Sequence, residues 1–155
     1  MSILSLERKK LNSMKTVVFY DSLCGVCNYW VNWILENDTK EVFHFAALES
    51  DFATQFSLHF NYEFPTETIV IWDEQVGFLK KSDAVIFILQ SIKDSSYQKK
   101  ALKLFPKFLR DWGYSIFAYF RRYIKMSKCK IPSTEERKRF LTNQSFQVFL
   151  NKSKD

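Results

Sequence analysis

The chain has 155 residues, of which 46% are hydrophobic, which is sufficient for one domain with its own core. It has 16 Phe, 7 Tyr and 4 Trp but only 3 Gly and 3 Pro, which excludes disordered, collagen-like and many-turned all-β proteins. Three cysteines exclude a disulfide-rich scaffold, and the formal net charge of +6 raises the question of an anionic partner.

The start of the chain carries no signal for export. Its opening apolar residues, 1–6, are too few for a signal peptide, and the charged residues follow them instead of preceding them. No uncharged apolar run approaches the about 18 residues of a membrane-spanning helix. We therefore expect a cytoplasmic protein, in which thiols are kept reduced. Residues 1–14 are expected to form an N-terminal extension.

The first elements predict a β-α-β unit. The β-branched and aromatic run Thr16–Tyr20 predicts a strand buried on both faces. After Cys24 the apolar residues recur at three- and four-residue spacing, which predicts an amphipathic helix that ends near Asp38. Val42–Ala47 predicts a second strand. The two strands should be parallel, with a right-handed crossover.

The following segment continues the alternation. It predicts, in order, a helix, a strand, a short hairpin strand and a second helix, at Glu49–Phe60, Thr68–Trp72, Phe78–Lys80 and Ala84–Ile92. Ser82 and Asp83 supply an N-cap and an acidic first-turn residue for the second helix. The predicted fold class is α/β: residues 15–95 are expected to form a core with a central sheet, in the order β-α-β-α-β-β-α.

Residues 96–155 predict only helices, which form a basic, aromatic-rich extension packed on the same domain. The predicted segments are about Tyr97 to Phe105, Pro106 through Tyr123, and Thr134 to Leu150.

Positive charge is concentrated in this extension. Residues 1–98 contain 8 Lys/Arg and 13 Asp/Glu, net −5, whereas residues 99–140 contain 13 and 3, net +10. The charges are interleaved with aromatic residues: Phe105, Phe108, Trp112, Tyr114, Phe117, Tyr119, Phe120 and Tyr123. We expect these rings to pack on the sheet while Lys and Arg face solvent; the alternative is docking of an anionic partner or a peripheral contact with a membrane. No motif predicts a specific nucleic acid.

The motif Cys24-Gly25-Val26-Cys27 directly follows a predicted strand and opens a predicted helix. Residues three apart on a helix lie about 5–6 Å from each other, which is within the separation that a disulfide tolerates. Unpaired N–H groups and the positive end of the helix dipole favour a thiolate at the first cysteine. Cys24 is therefore the expected nucleophile and Cys27 the resolving thiol.

Two other interpretations of the pair remain open. The cysteines could be buried core residues, or they could form half of a zinc site. Only Cys129, His44 and His59 could supply further sulfur or imidazole ligands, and none of these belongs to a second paired motif. A zinc site is therefore poorly supplied with ligands.

The stretch Asp21–Asn28 resembles the Asp-x-x-Cys-x-x-Cys signature of the DCC family of predicted thiol-disulfide oxidoreductases, a thioredoxin-like group. The resemblance covers roughly Lys15 to Leu141. Ser22 departs from the pattern, since the family usually has Gly there. Further segments match in the family's order: Phe43–Ser50, Thr68–Val70, Ser82–Ala84, Tyr114–Tyr123 and Cys129. The resemblance implies a thioredoxin-like core over residues 15–95 and redox chemistry, without naming a substrate.

Asp21 and Pro65 each have two interpretations. The Asp21 carboxylate could cap the helix or form the turn before it, or it could accept the proton of Cys27 during catalysis. Pro65 lies where thioredoxin-like proteins carry a cis-proline that faces the cysteines, although local sequence alone favours a trans bond.

Three further residues are candidate accessory groups. Cys129 lies among lysines that would favour a thiolate, so it is either a third redox thiol or a packing residue. Ser82 and Asp83 match a family motif, but helix capping also explains them.

The sequence thus predicts a dithiol-disulfide oxidoreductase that needs no bound cofactor. Its partners would be a disulfide-containing protein or a small-thiol substrate, together with an unidentified reductant or oxidant. The alternative is a non-catalytic binding module whose basic aromatic helices dock an anionic partner or a membrane surface, with the cysteines structural or bound to zinc.

Overall fold

A computed structural model of the chain describes residues 16–65, 68–92, 106–120, 133–143 and 145–147. The N-terminal extension, the helix predicted around residues 97–105 and Cys129 lie outside the described residues. The division of the chain near residue 95 stays a prediction.

Within the described residues, four strands and five helices have defined bounds. In chain order they are β1 (Thr16–Tyr20), α1 (Gly25–Asn37), β2 (Phe43–Ala47), α2 (Asp51–Phe60), β3 (Val70–Asp73), β4 (Gly77–Lys80), α3 (Lys81–Ile92), α4 (Lys107–Phe120) and α5 (Thr134–Arg137). The order from β1 to α3 is the predicted β-α-β-α-β-β-α. The α/β fold class is therefore confirmed.

The four strands form one sheet in the order β2-β1-β3-β4. β1 is parallel to β2, and β3 is antiparallel both to β1 and to β4. The β-α-β unit thus supplies two neighbouring strands, and the hairpin β3-β4 extends the sheet beside β1. This arrangement is thioredoxin-like, as the resemblance implies. It places the carboxyl ends of β1 and β2, and hence the start of α1, at the same edge of the sheet.

Both faces of the sheet carry buried side chains. Successive side chains of a strand point to opposite faces, so each strand contributes to both. Val17 and Phe19 belong to a core cluster on one face, where α2 contributes Phe52, Ala53 and Phe56. Val18 and Tyr20 belong to the cluster on the other face, where α1 and α3 contribute Cys27, Val31, Ile34, Ala84 and Ile88. The core therefore has three layers, and the second cysteine lies inside one of them.

The prediction of one helix over residues 134–150 is wrong. α5 ends at Arg137, and Phe140 then forms a parallel bridge with Phe45 in β2. The Phe45 N–H donates to the Arg139 carbonyl at 2.9 Å, and the Leu141 N–H donates to the Phe45 carbonyl at 2.7 Å. Because β2 lies at the end of the four-stranded order, its outer N–H and C=O groups need partners, and this pairing outweighs local helix propensity.

α4 begins directly after Pro106, as predicted. Its aromatic residues Phe108, Trp112 and Tyr119 are exposed, however, so the expectation that they pack on the sheet is wrong for these three. Within the described ranges no helix is long and apolar enough to cross a bilayer.

Candidate active site

The first cysteine lies exactly where the chain passes from strand to helix, between the end of β1 at Tyr20 and the first helical residue, Gly25. Cys24 is the N-cap of α1: its backbone is extended, with φ −88° and ψ 113°. Its carbonyl accepts the N–H of Asn28 at 3.0 Å. Cys27 therefore lies in the first helical turn, with its backbone N–H directed towards the cap.

The Cys27 N–H donates a hydrogen bond to the Cys24 sulfur over 3.5 Å. This amide belongs to the first turn of the helix, where N–H groups have no partner within the helix. The donor thus points at the Cys24 sulfur from the N-terminal end of the helix, where the helix dipole is positive. This contact holds the two cysteines of the motif close together.

The two thiols differ in accessibility. Neither cysteine forms a disulfide, but Cys24 is half-buried whereas Cys27 is 1% exposed and packs among the core residues between α1 and the sheet. A disulfide in another molecule can therefore approach the Cys24 sulfur more easily than the Cys27 sulfur. Leu23, directly before Cys24, is 93% exposed, so the approach to the motif is partly apolar.

Asp21 forms the turn that precedes the motif. Its carboxylate accepts the Leu23 N–H at 2.9 Å, and its carbonyl accepts the Cys24 N–H at 3.2 Å. This is the local pattern by which Asp initiates turns. Of its two structural interpretations the structure shows turn formation, because Cys24 itself occupies the N-cap.

Asn28 also positions the motif, which the sequence pattern did not predict. Its side-chain Nδ2 donates to the carbonyl of Ser22 at 2.7 Å and so ties the first turn of α1 back to the loop before it. The contact uses the backbone of Ser22, so it does not depend on whether Ser or Gly stands there. The available signal was its spacing: Asn28 lies four residues after Cys24, hence on the same side of the helix.

Tyr20 is the last residue of β1 and directly precedes Asp21. Burial raises the pKa of its hydroxyl, and the nearby Glu49 carboxylate raises that pKa further. The Tyr20 carbonyl accepts the Leu48 N–H at 2.9 Å, which ties the loop after β2 to the strand that leads into the motif.

Three other predicted residues, Pro65, Ser82 and Asp83, lie within the described part of the chain. The described residues contain no cis peptide bond, so the bond between Phe64 and Pro65 is trans. Ser82 lies inside the first turn of α3 instead of before it, so the N-cap prediction is wrong; its hydroxyl donates to the Asp111 carboxylate in α4 at 2.5 Å. Asp83 lies in the first turn of α3, as predicted.

The described part of the chain offers no cluster for a metal ion. His44 is buried in β2, and no group of three or more His, Cys, Asp or Glu side chains in the described ranges could hold a cation. The zinc alternative gains no support from these residues.

Comparison with known proteins identifies the chain's relatives. The sequence profile of the DCC1-like thiol-disulfide oxidoreductase family matches residues 18–126. An uncharacterized protein of Bacillus subtilis (strain 168), YuxK, is 30% identical over 131 residues, which cover 81% of this chain and 93% of YuxK. No solved structure shows significant similarity. With the motif at the start of α1 and a profile that spans most of its length, the chain belongs to the DCC1-like thiol-disulfide oxidoreductase family.

Proposed function

We propose that this protein is a dithiol-disulfide oxidoreductase that uses Cys24 and Cys27 as its redox pair. The observation that carries the proposal is the hydrogen bond from the Cys27 N–H to the Cys24 sulfur at the start of α1. Family membership supports the reaction class, and both cysteines are present as thiols, which is compatible with reversible oxidation.

The first step is attack of the Cys24 thiolate on one sulfur of a substrate disulfide. The substrate S–S bond breaks, one substrate sulfur leaves as a thiolate, and the other remains bonded to Cys24 in a mixed disulfide. Since Cys24 is the more accessible of the two thiols, it is the one that can meet a substrate from solution.

In the second step Cys27, after losing its proton, attacks the Cys24 sulfur. The bond between Cys24 and the substrate breaks, the second substrate sulfur leaves as a thiolate, and a Cys24–Cys27 disulfide forms. The substrate gains two electrons and the protein pair loses two. Burial of Cys27 supports this order, because a shielded thiol meets few disulfides except the one formed next to it.

Asp21 is the proton acceptor that we propose for Cys27. The carboxylate is half-buried and fixed by the Leu23 N–H in the turn directly before the motif. A positioned carboxylate can take the thiol proton as the sulfur attacks. This role is compatible with turn formation, because Leu23 uses one carboxylate oxygen.

The remaining candidates are assigned to accessory positions. Ser82 supports the packing of α3 against α4 through Asp111. Cys129 is a third thiol, and its part in the reaction is to be measured. Pro65 and Asp83 are neighbours of the core, and we propose no chemical step for them. We further propose that residues 15–95 hold the whole redox centre.

A redox titration tests the proposal. The Cys129→Ser protein, which retains only the motif thiols, is equilibrated with glutathione buffers and the free thiols are labelled. We expect one two-electron transition, with a potential between about −270 and −120 mV, and faster alkylation of Cys24 than of Cys27. A potential far below the cytosolic poise identifies a reductase, and one far above it an oxidant or isomerase. Two native thiols that neither titrate nor react would overturn the proposal.

A further inference from the structure

α4 carries an apolar stripe that faces solvent. We use the name stripe for its exposed members Phe108, Leu109, Trp112, Ile116 and Tyr119. Four of them follow each other at spacings of four, four and three residues, so they lie along one face of the helix. The three aromatic members are 73%, 64% and 66% exposed in chain order. Isolated exposed apolar residues are common, but a continuous apolar row on one helix indicates an interaction surface.

The orientation of the stripe is fixed by a contact on another side of α4. Asp111 accepts the Ser82 hydroxyl of α3 at 2.5 Å, and Ser82 is buried. Phe108, Trp112 and Tyr119 lie about 60–100° around the helix from Asp111, on the basis of 3.6 residues per turn. Turning the stripe towards the core would therefore require breaking the link between α3 and α4.

The stripe lies within the basic part of the chain, where residues 99–140 carry 13 Lys/Arg and 3 Asp/Glu. Trp, Tyr and Phe on one face of a helix in a strongly cationic segment are typical of helices that lie in the headgroup region of a membrane. Such segments are attracted to anionic lipids. We propose that α4 docks the protein peripherally on an anionic lipid surface, with the stripe inserted among the headgroups.

Charge also argues against the main alternative occupants. Pairing of the stripe with a second copy of this chain would bring two segments rich in Lys and Arg together, which repel each other. A nucleic acid would use the charges and the rings for stacking, but it offers nothing to Leu109 and Ile116. A lipid surface satisfies the charge, the rings and the aliphatic side chains at once. The proposal does not depend on the redox function, because no cysteine takes part.

Vesicle sedimentation with the full chain tests the proposal. The probes are vesicles of phosphatidylglycerol mixed with phosphatidylcholine, and vesicles of phosphatidylcholine alone. We expect binding only to the anionic vesicles, with a partition coefficient that falls at least about tenfold between about 50 and about 500 mM NaCl. The double variant Phe108→Ala/Trp112→Ala should bind at least about tenfold more weakly, because two rings no longer enter the headgroup region.

Leu58→Ala provides the matched control, since Leu58 is 77% exposed but lies on α2. It should bind vesicles as the unchanged protein does. The redox titration of the cysteine pair is repeated on the double variant, and a potential equal to that of the unchanged protein shows that the variant is folded. If the double variant is unfolded, two other measurements test the proposal. They are the lipid and salt dependence of vesicle binding by the unchanged protein, and vesicle binding by the single variant Tyr119→Ser.

Three outcomes would overturn the proposal. The first is no binding to anionic vesicles at low salt, and the second is binding that is independent of salt or unaffected by the loss of the stripe. The third is a dimer in light scattering that the double variant abolishes while vesicle binding is absent, because the stripe would then be an interface between copies.

Discussion

Arg139 and Asp38 form a buried ion pair that joins residues 101 positions apart in the sequence. Arg139 also donates through Nε to the carbonyl of Phe43 at 2.9 Å, and its guanidinium lies 5.3 Å from the ring centre of Phe45. Asp38 in turn accepts the Phe43 N–H at 2.9 Å. The pair therefore fixes the C-terminal segment, the end of α1 and the start of β2 to one another.

Replacing Arg139 by Met is expected to lower the free energy of unfolding by about 3–5 kcal/mol. The reason is that Asp38 would remain buried with its charge uncompensated. Urea unfolding followed by far-UV circular dichroism measures the change. The double variant Asp38→Asn/Arg139→Met should recover part of the loss, because it removes both charges.

Lys138→Met is the matched control for this prediction. Lys138 contacts Glu135 in an exposed ion pair, which is worth at most about 1 kcal/mol. If Arg139→Met costs no more than Lys138→Met, the buried pair does not stabilise the fold in the way we infer.

Asn28→Ala is expected to lower the rate of Cys24 alkylation and to destabilise the protein by about 1 kcal/mol. The variant loses the hydrogen bond to Ser22, so the loop that positions the Cys24 sulfur against the Cys27 N–H becomes looser. The alkylation rate is measured at constant pH in the Cys129→Ser background by mass spectrometry.

Asn37→Ala separates the effect on reactivity from the effect on stability. Asn37 also donates its side-chain Nδ2 to a backbone carbonyl, that of Trp33 at 2.8 Å, but at the other end of α1. It should cost a similar free energy of unfolding and leave the cysteine reactivity unchanged. Equal alkylation rates in the two variants would show that Asn28 has no specific part in the site.

Asp21→Asn is expected to slow the second step of the reaction while leaving the first nearly unchanged. The Asn side-chain oxygen can still accept the Leu23 N–H, so the turn is retained, but the group no longer accepts a proton. Loss of a general base typically costs at least about 10²-fold in rate. The mixed disulfide on Cys24 should therefore accumulate, and acid quenching followed by mass spectrometry detects it.

The same assay gives the reference points for Asp21. Cys27→Ser should accumulate the mixed disulfide completely, because no resolving thiol remains. Asp21→Ala should in addition loosen the turn and slow the first step. Wild-type kinetics in Asp21→Asn would limit Asp21 to its structural role.

The order of elements was predictable from sequence because it depends on local patterns. The apolar run at 16–20 and the helical periodicity after Cys24 each reflect burial within a single element, and both match the structure within one or two residues. The start of α3 at Lys81, three residues before the prediction, was not predictable in the same way. Ser82 is a good N-cap by local rules, but its hydroxyl contacts Asp111 in another helix.

Long-range pairing was the part of the fold that sequence could not supply. Residues 134–150 have helical propensity, yet the segment after Arg137 pairs with β2 and buries Arg139 against Asp38. The local sequence of neither segment indicates this pairing. The outer side of β2 becomes an edge with unpaired backbone groups only once the sheet is assembled.

In the site, the two thiols and the turn at Asp21 could be predicted, since they lie within one short stretch. The cap made by the Cys24 sulfur and the contact of Asn28 with Ser22 could not be predicted, because they depend on the backbone path between strand and helix.

Tyr20 is expected to make the protein less stable at alkaline pH. Burial and the Glu49 carboxylate raise its pKa above the ordinary value of 10.0. Below about pH 10 Tyr20 is protonated in both the folded and the unfolded state, so the free energy of unfolding keeps its full value there. As the pH rises from there towards the raised pKa, the unfolded chain releases the proton before the folded protein does, so the free energy of unfolding falls. Each unit of difference contributes about 1.4 kcal/mol.

Tyr20→Phe should flatten this fall, and Tyr29→Phe, at an exposed position of α1, should not. Glu49→Gln should reduce the fall only in part, because burial is the larger cause of the raised pKa. Urea unfolding in the presence of reductant between about pH 8 and about pH 11 measures all four proteins. Since each variant differs from the unchanged protein at one position only, the difference between the curves isolates the effect of Tyr20. Parallel curves for Tyr20→Phe and the unchanged protein would show that the fold does not hold the Tyr20 hydroxyl in its neutral form.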